Sequence, residues 1–113
     1  MITIWHNPRC SKSRQTLDLL IREGHDPVVR RYLDNPPSED ELRAAQTALA
    51  LPVITMMRTG EAAFQEMGLS KTDDEATLIA AMAEQPKLIE RPVVLKDAKG
   101  AIGRPPEAVL DIL

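Results

Sequence analysis

The chain has 113 residues, 43% of them hydrophobic, and a formal charge of −3. That length and apolar content suit one compact domain, residues 1–113, able to bury roughly two-thirds of its unfolded surface, while the acidic balance argues against a general nucleic-acid binder, which needs a basic face. A single cysteine excludes an internal disulfide, and there is no basic-then-apolar leader and no apolar run of membrane-spanning length; the expected location is therefore the cytoplasm, with neither nucleic acid nor membrane as a partner.

Residues 1–6 read as a short apolar strand, stopped by Asn7 and Pro8. A helix follows at once. Ser11 is placed to cap it, Leu17, Leu20 and Ile21 share one face, and Gly24 stands where a left-handed residue past the helix end is preferred. Cys10 therefore lies at a helix mouth. Unpaired N–H groups and the helix dipole make such a mouth electropositive, and Arg9, Lys12 and Arg14 add charge, so the thiolate is favoured and Cys10 is expected to be nucleophilic near neutral pH. Residues 27–33, with Val28, Val29 and Tyr32, read as a second strand, parallel to the first because a crossover helix joins them.

Asn35-Pro36-Pro37 breaks that strand, and Ser38 with Glu41 forms a capping box ahead of a helix expected to reach about Ala50, striped by Leu42, Ala45 and Leu49. Pro52 opens a short helix through Met57, residues 61–67 make another ended by Gly68, and Thr72-Asp73-Asp74-Glu75 repeats the capping-box pattern before Leu78, Ile79 and Met82. Beyond Gln85-Pro86 the character changes. Residues 92–95 read as a strand, 97–100 as a turn, 101–102 as the start of a partner strand, and 107–113 as a last helix with Pro near its start. The order matches an α/β, thioredoxin-like plan: a mixed four-stranded sheet flanked by helices, with a helical insertion between strands 2 and 3.

Five short motifs stand in one order along the chain: His6-Asn7-Pro8-Arg9-Cys10 through Ser13-Arg14, Tyr32-Leu33 before Pro36-Pro37, Met57-Arg58 before Glu66-Met67-Gly68-Leu69, Glu90-Arg91-Pro92-Val93-Val94, and Gly103-Arg104-Pro105-Pro106-Glu107. In that order the sequence resembles, over its whole length, the glutaredoxin-dependent arsenate reductases of the thioredoxin-like superfamily. The resemblance implies that Cys10 is the catalytic nucleophile attacking arsenate, and that Arg58, Arg91 and Arg104 bind the oxyanion and stabilise the thiolate. It further implies a cis Arg91–Pro92 peptide, no bound cofactor, glutathione as co-substrate and glutaredoxin as partner. Arg9 and Lys12 stand where the best-known members have smaller residues, which marks a subgroup.

Counting dismisses two other cysteine chemistries. The phosphatase loop needs Arg where Thr16 stands, and a dithiol motif needs a second Cys where Ser13 stands. One cysteine and two distant histidines offer no metal-ligand spacing. Two thiolate-tuning candidates have open alternatives: Ser13 offers the thiolate a hydrogen bond or is a plain first-turn serine, and His6 raises the thiolate fraction if protonated or is a packed strand residue. Arg14 reads as a solvated residue or a carboxylate partner, and Arg9 and Lys12 as tuning the potential. For a tetrahedral oxyanion, arginine outperforms lysine because its fork is planar and keeps its proton. Lacking a second cysteine, such a reductase must take electrons from outside. Two other readings stand behind this one: an Spx-like redox regulator that binds RNA polymerase, and a glutathione-dependent thiol transferase with another substrate.

Overall fold

The computed structural model describes residues 1–113. Four strands, β1 (Ile2–Trp5), β2 (Val28–Arg30), β3 (Val93–Lys96) and β4 (Lys99–Ile102), form one mixed sheet in the order β2-β1-β3-β4. β1 runs parallel to β2, with Ile4 opposite Val29, and antiparallel to β3, with Ile4 opposite Val94. Helix α1 (Ser11–Arg22) connects the parallel pair, α2 (Glu39–Leu49), α3 (Ala62–Glu66) and α4 (Glu75–Glu84) make up the insertion, and a 3₁₀ helix, Pro106–Ile112, closes the chain. No helix is long and apolar enough to cross a membrane.

The central strands β1 and β3 bury both faces, and their period-2 alternation sorts the core. Trp5 and Val93 point into the larger cluster, with Tyr32, Leu42, Met56, Phe64, Leu78, Met82 and Leu88 of the helical insertion. Ile2, Ile4 and Val94 point the other way, against Leu20 of α1 and Val109 of the last helix. The site-bearing helix α1 and the helical block thus lie on opposite faces of β1 and β3.

Several expected boundaries shift, each for a local reason. Cys10, not Ser11, is the N-cap of α1, with extended backbone (φ −95°, ψ 122°), because its N–H is taken by Asn7 O at 3.0 Å and its carbonyl accepts Arg14 N–H at 3.0 Å. Before α4, the cap is Asp74, whose side-chain oxygen accepts Thr77 N–H at 2.8 Å, and not Thr72, whose hydroxyl pairs with Ser70 Oγ at 2.9 Å; Asp73 turns back to Ser70 N–H at 2.9 Å. β2 is three residues long, not seven, because the chain turns at Arg31, whose carbonyl accepts the N–H groups of Asp34 and Asn35. Its Val28 and Val29 are exposed. The β3–β4 turn is tighter than expected: Lys96 pairs with Lys99, leaving Asp97, at φ 54°, and Ala98 as the loop. The helices expected after Pro52 and at the chain end are present as 3₁₀ helices, Val53–Met56 and Pro106–Ile112. The Ser38–Glu41 capping box and the left-handed Gly24 stand as expected.

One side chain ties the two halves together. Arg30, at the end of β2, forks onto Glu41 of α2, with its second nitrogen 3.2 Å from Glu41 Oε1, and it donates to the carbonyls of Asn35 and Pro36 at 3.1 Å each. Its guanidinium carbon also lies 5.9 Å from the centre of the Trp5 ring, within cation–π range.

Candidate functional site

The site is assembled from the C-terminal side of β1, the mouth of α1, and the segments that enter β3 and leave β4. After β1, Asn7 folds the loop on itself, its side-chain oxygen taking Arg9 N–H at 3.0 Å. Arg14 is exposed, as a solvated residue would be, and it also reaches back from α1 to Pro8 O at 2.9 Å, bracing this loop. The result is a buried Cys10, its thiol held over the first turn of α1.

Burial acts to raise the thiol's pKa. The Ser13 N–H, the Arg91 guanidinium and the Lys12 N–H outweigh it, so Cys10 lies below its ordinary value of 9.0. No cap hydrogen bond of ordinary geometry joins the Cys10 side chain to this turn, so the amides act on sulfur chiefly as dipoles.

Ser13 and His6 sit behind the thiol as a pair. The Ser13 hydroxyl is 2.7 Å from His6 Nδ1 and accepts Asn7 N–H at 3.0 Å. It is thus engaged away from the sulfur, and Ser13 acts on Cys10 through its backbone N–H, not through its hydroxyl. Burial, then the nearby charges of Arg31 and Arg14, lowers the His6 pKa below 6.5. A charged His6 is therefore not what favours the thiolate at neutral pH; the pair instead locks the loop that carries the cysteine.

The three arginines arrive from separate segments. Arg104 Nη2 lies 3.5 Å from Cys10 Sγ, and its Nε donates to Arg91 O at 2.7 Å. The Arg91 guanidinium is set beside the thiol with Nε and Nη1 buried and without partners. Arg58 stands farther out, paired with Glu61 at 2.9 Å, and lines with Arg104 a cleft of about 390 Å³. Both Arg91–Pro92 and Arg104–Pro105 are cis, the first as the resemblance implied.

Local packing holds these segments in place. Arg58 N–H donates to Leu88 O and Glu90 N–H to Met56 O, each at 2.7 Å, around a bridge between Met57 and Ile89. Gly103 lets the Arg104 segment approach α1. A Cβ there would overlap Thr16 Oγ1 and lie 2.8 Å from Pro92 Cγ, a gap real side chains do not tolerate.

Two further groups belong to the site although neither was singled out as a candidate. The Tyr32 phenol is buried, which raises its pKa, partly offset by Arg91 and by a hydrogen bond with Asn7, so it remains protonated beneath the thiol. Glu90 contacts both Arg91 and Arg104, with Oε1 3.2 Å from Arg91 N and 3.0 Å from Arg104 Nε. Each stands in a motif noted above, but neither residue type signals an anion site by itself. No group of three or more His, Cys, Asp or Glu side chains is placed to hold a metal ion. A thiol below its ordinary pKa, with cationic donors converging on one side, can attack and hold a small oxyanion.

Comparison with known proteins places the chain beside arsenate reductases. The sequence model of the ArsC family matches residues 5–112. The chain is 43% identical to an arsenate reductase of Haemophilus influenzae, over 99% of this chain and 98% of that protein. It is 44% identical to the uncharacterized protein YfgD of Escherichia coli, over 99% and 96%. The structure of an arsenate reductase from Vibrio cholerae superposes with a TM-score of 0.96 at 47% identity, covering 99% of this chain and 97% of that one.

Proposed function

Because the chain belongs to the ArsC family, we propose that it reduces arsenate to arsenite at Cys10, with electrons supplied by glutathione and glutaredoxin. The observation that carries this reading is Arg91: the residue is half-buried, and its Nε and Nη1 are buried without hydrogen-bond partners, which is costly unless an anion completes them. An arsenate between Cys10 and Arg91 would do so, and Arg104 and Arg58 would reach it from the cleft side.

The proposed steps follow from the chemistry of a single thiol. The Cys10 thiolate attacks arsenic, and one oxygen leaves as water after taking up protons; arsenic stays pentavalent. A glutathione thiol displaces a second oxygen in the same way. A glutaredoxin thiolate then attacks the glutathione sulfur to give a mixed disulfide, and the sulfur–arsenic electron pair stays on arsenic, which becomes trivalent. Water displaces Cys10 from arsenic, releasing arsenite and the thiol. In each substitution the guanidinium groups stabilise negative charge gathering on oxygen. A route that consumes glutathione suits a reducing compartment such as the cytoplasm.

The test is arsenite formation in the presence of glutathione and glutaredoxin, measured for wild type and for Cys10→Ser. Arsenite that requires both thiol sources and Cys10 supports the proposal. No arsenite from wild type, or equal arsenite from the variant, overturns it.

A further inference from the structure

A carboxylate lies among the cations of this site, and the oxyanion reading alone does not account for it. Glu90 is half-buried, its side chain 24% exposed, and its backbone is fixed by the Met56 bond and the adjoining Met57–Ile89 bridge. Its Oε1 faces Arg104 Nε and Arg91 N–H, and the residue lines the cleft with Arg58, Glu61 and Arg104. Oε2 receives no hydrogen bond from the protein.

If the cleft only had to attract negative charge, a carboxylate there would work against it. A carboxylate is an acceptor alone, and an anion oxygen brought against it is repelled unless that oxygen carries a hydrogen. Tetrahedral oxyanions divide on this property. Arsenate and phosphate keep a proton through neutral and mildly alkaline pH, whereas sulfate has none, with nearly the same shape and charge.

Resting on the oxyanion reading above, we propose that Glu90 is a specificity residue: its free oxygen accepts a hydrogen bond from the hydroxyl of a protonated tetrahedral oxyanion and turns away fully deprotonated ones such as sulfate. The arginines then supply affinity common to both kinds of anion, and Glu90 supplies the difference between them.

A plain bracing role predicts something else. A Glu90 that only held Arg104 in place would, when removed, weaken every anion in the same proportion. The ratio between two anions of equal charge separates the cases.

The experiment measures how inorganic phosphate and sulfate protect Cys10 from alkylation at mildly alkaline pH, where both are dianions differing by one proton. Wild type is expected to be protected by phosphate at concentrations at least about tenfold below those of sulfate, since a site that hydrogen-bonds a group rejects an analogue lacking it. Glu90→Gln, whose amide can also donate, should bring the two within about threefold, chiefly by improving sulfate. Glu90→Asp, which withdraws the carboxylate by one methylene, should fall between. Equal protection in wild type overturns the inference without requiring any variant to fold, and an unchanged ratio in Glu90→Gln does the same. Either result would leave the oxyanion reading standing. Protection by neither anion would overturn that reading and this inference with it.

Discussion

Replacing Glu41 by Gln removes the charge that Arg30 grips while keeping the shape of the side chain and its part in the capping box, where Gln serves as well as Glu. The hydrogen bond from Arg30, followed by that from the Ser38 backbone, holds the Glu41 carboxyl at about 2 instead of its ordinary 4.5. Taken at face value, at about 1.36 kcal/mol for each tenfold change, that drop is worth about 3.4 kcal/mol. The Glu41 side chain is 46% exposed, so solvent screens much of it, and Gln keeps one hydrogen bond from Arg30. The expected loss is therefore about 1–1.5 kcal/mol at neutral pH. Its pH dependence has a definite sign. A carboxyl more acidic in the folded than in the unfolded chain contributes stability above 4.5, and that contribution fades as pH falls towards 2. Urea unfolding should place Glu41→Gln below wild type at neutral pH and bring the two curves together in acid. A constant gap across the whole range, or none at pH 7, would refute the reasoning. Arg30→Met combined with Glu41→Gln in a double-mutant cycle should return most of the loss as coupling between the two residues.

Three further outcomes follow from the site. Arg91→Ala should move the Cys10 titration up towards its ordinary value of 9.0, read as ultraviolet thiolate absorbance against pH; an unmoved transition would mean that helix amides alone set it. Ala at Arg58, Arg91 or Arg104 should weaken oxyanion binding by roughly 10- to 100-fold, from about 1.5–3 kcal/mol for each charge-assisted contact, and Lys should recover only part of this because it lacks the fork; anion titrations of the six variants decide it. Gly103→Ala should destabilise the fold by about 1–3 kcal/mol through its clash with Thr16 and Pro92 and lower kcat/KM by displacing Arg104, whereas Gly60→Ala, with open space around it, should change neither.

The order of elements was legible because strand and helix periods, capping residues and Pro/Gly breaks are local signals, as at Ser38–Glu41 and Gly24. Boundaries that depend on competition between neighbouring oxygens were not. Whether Cys10 or Ser11 caps α1 is settled by the Asn7 carbonyl three residues upstream, and Asp74 takes the cap of α4 from Thr72, whose hydroxyl is engaged with Ser70 Oγ at 2.9 Å. The cysteine declared itself through its place at a helix mouth. The arginines carried no periodicity and were marked only by resemblance, since their convergence depends on β3 lying beside β1 and β4 beside β3. Arg30 on Trp5 and Glu41, and Glu90 on Arg104, are contacts between segments 11 or more residues apart. Nothing in the spacing of those residues announces them.

The way each charged group is anchored also sets which part of this cleft could be re-engineered on its own. Cys10, Arg91 and Arg104 lie on segments that leave β1, enter β3 and leave β4 of one hydrogen-bonded sheet, so their positions are linked through it. Arg58 is attached differently, through the single Met57–Ile89 bridge and the bonds flanking it. A designer wishing to admit a bulkier anion would therefore lengthen or reshape the limb bearing Arg58, leaving the thiol's acidity as it is. Grafting on the sheet side would instead alter reactivity and fit together.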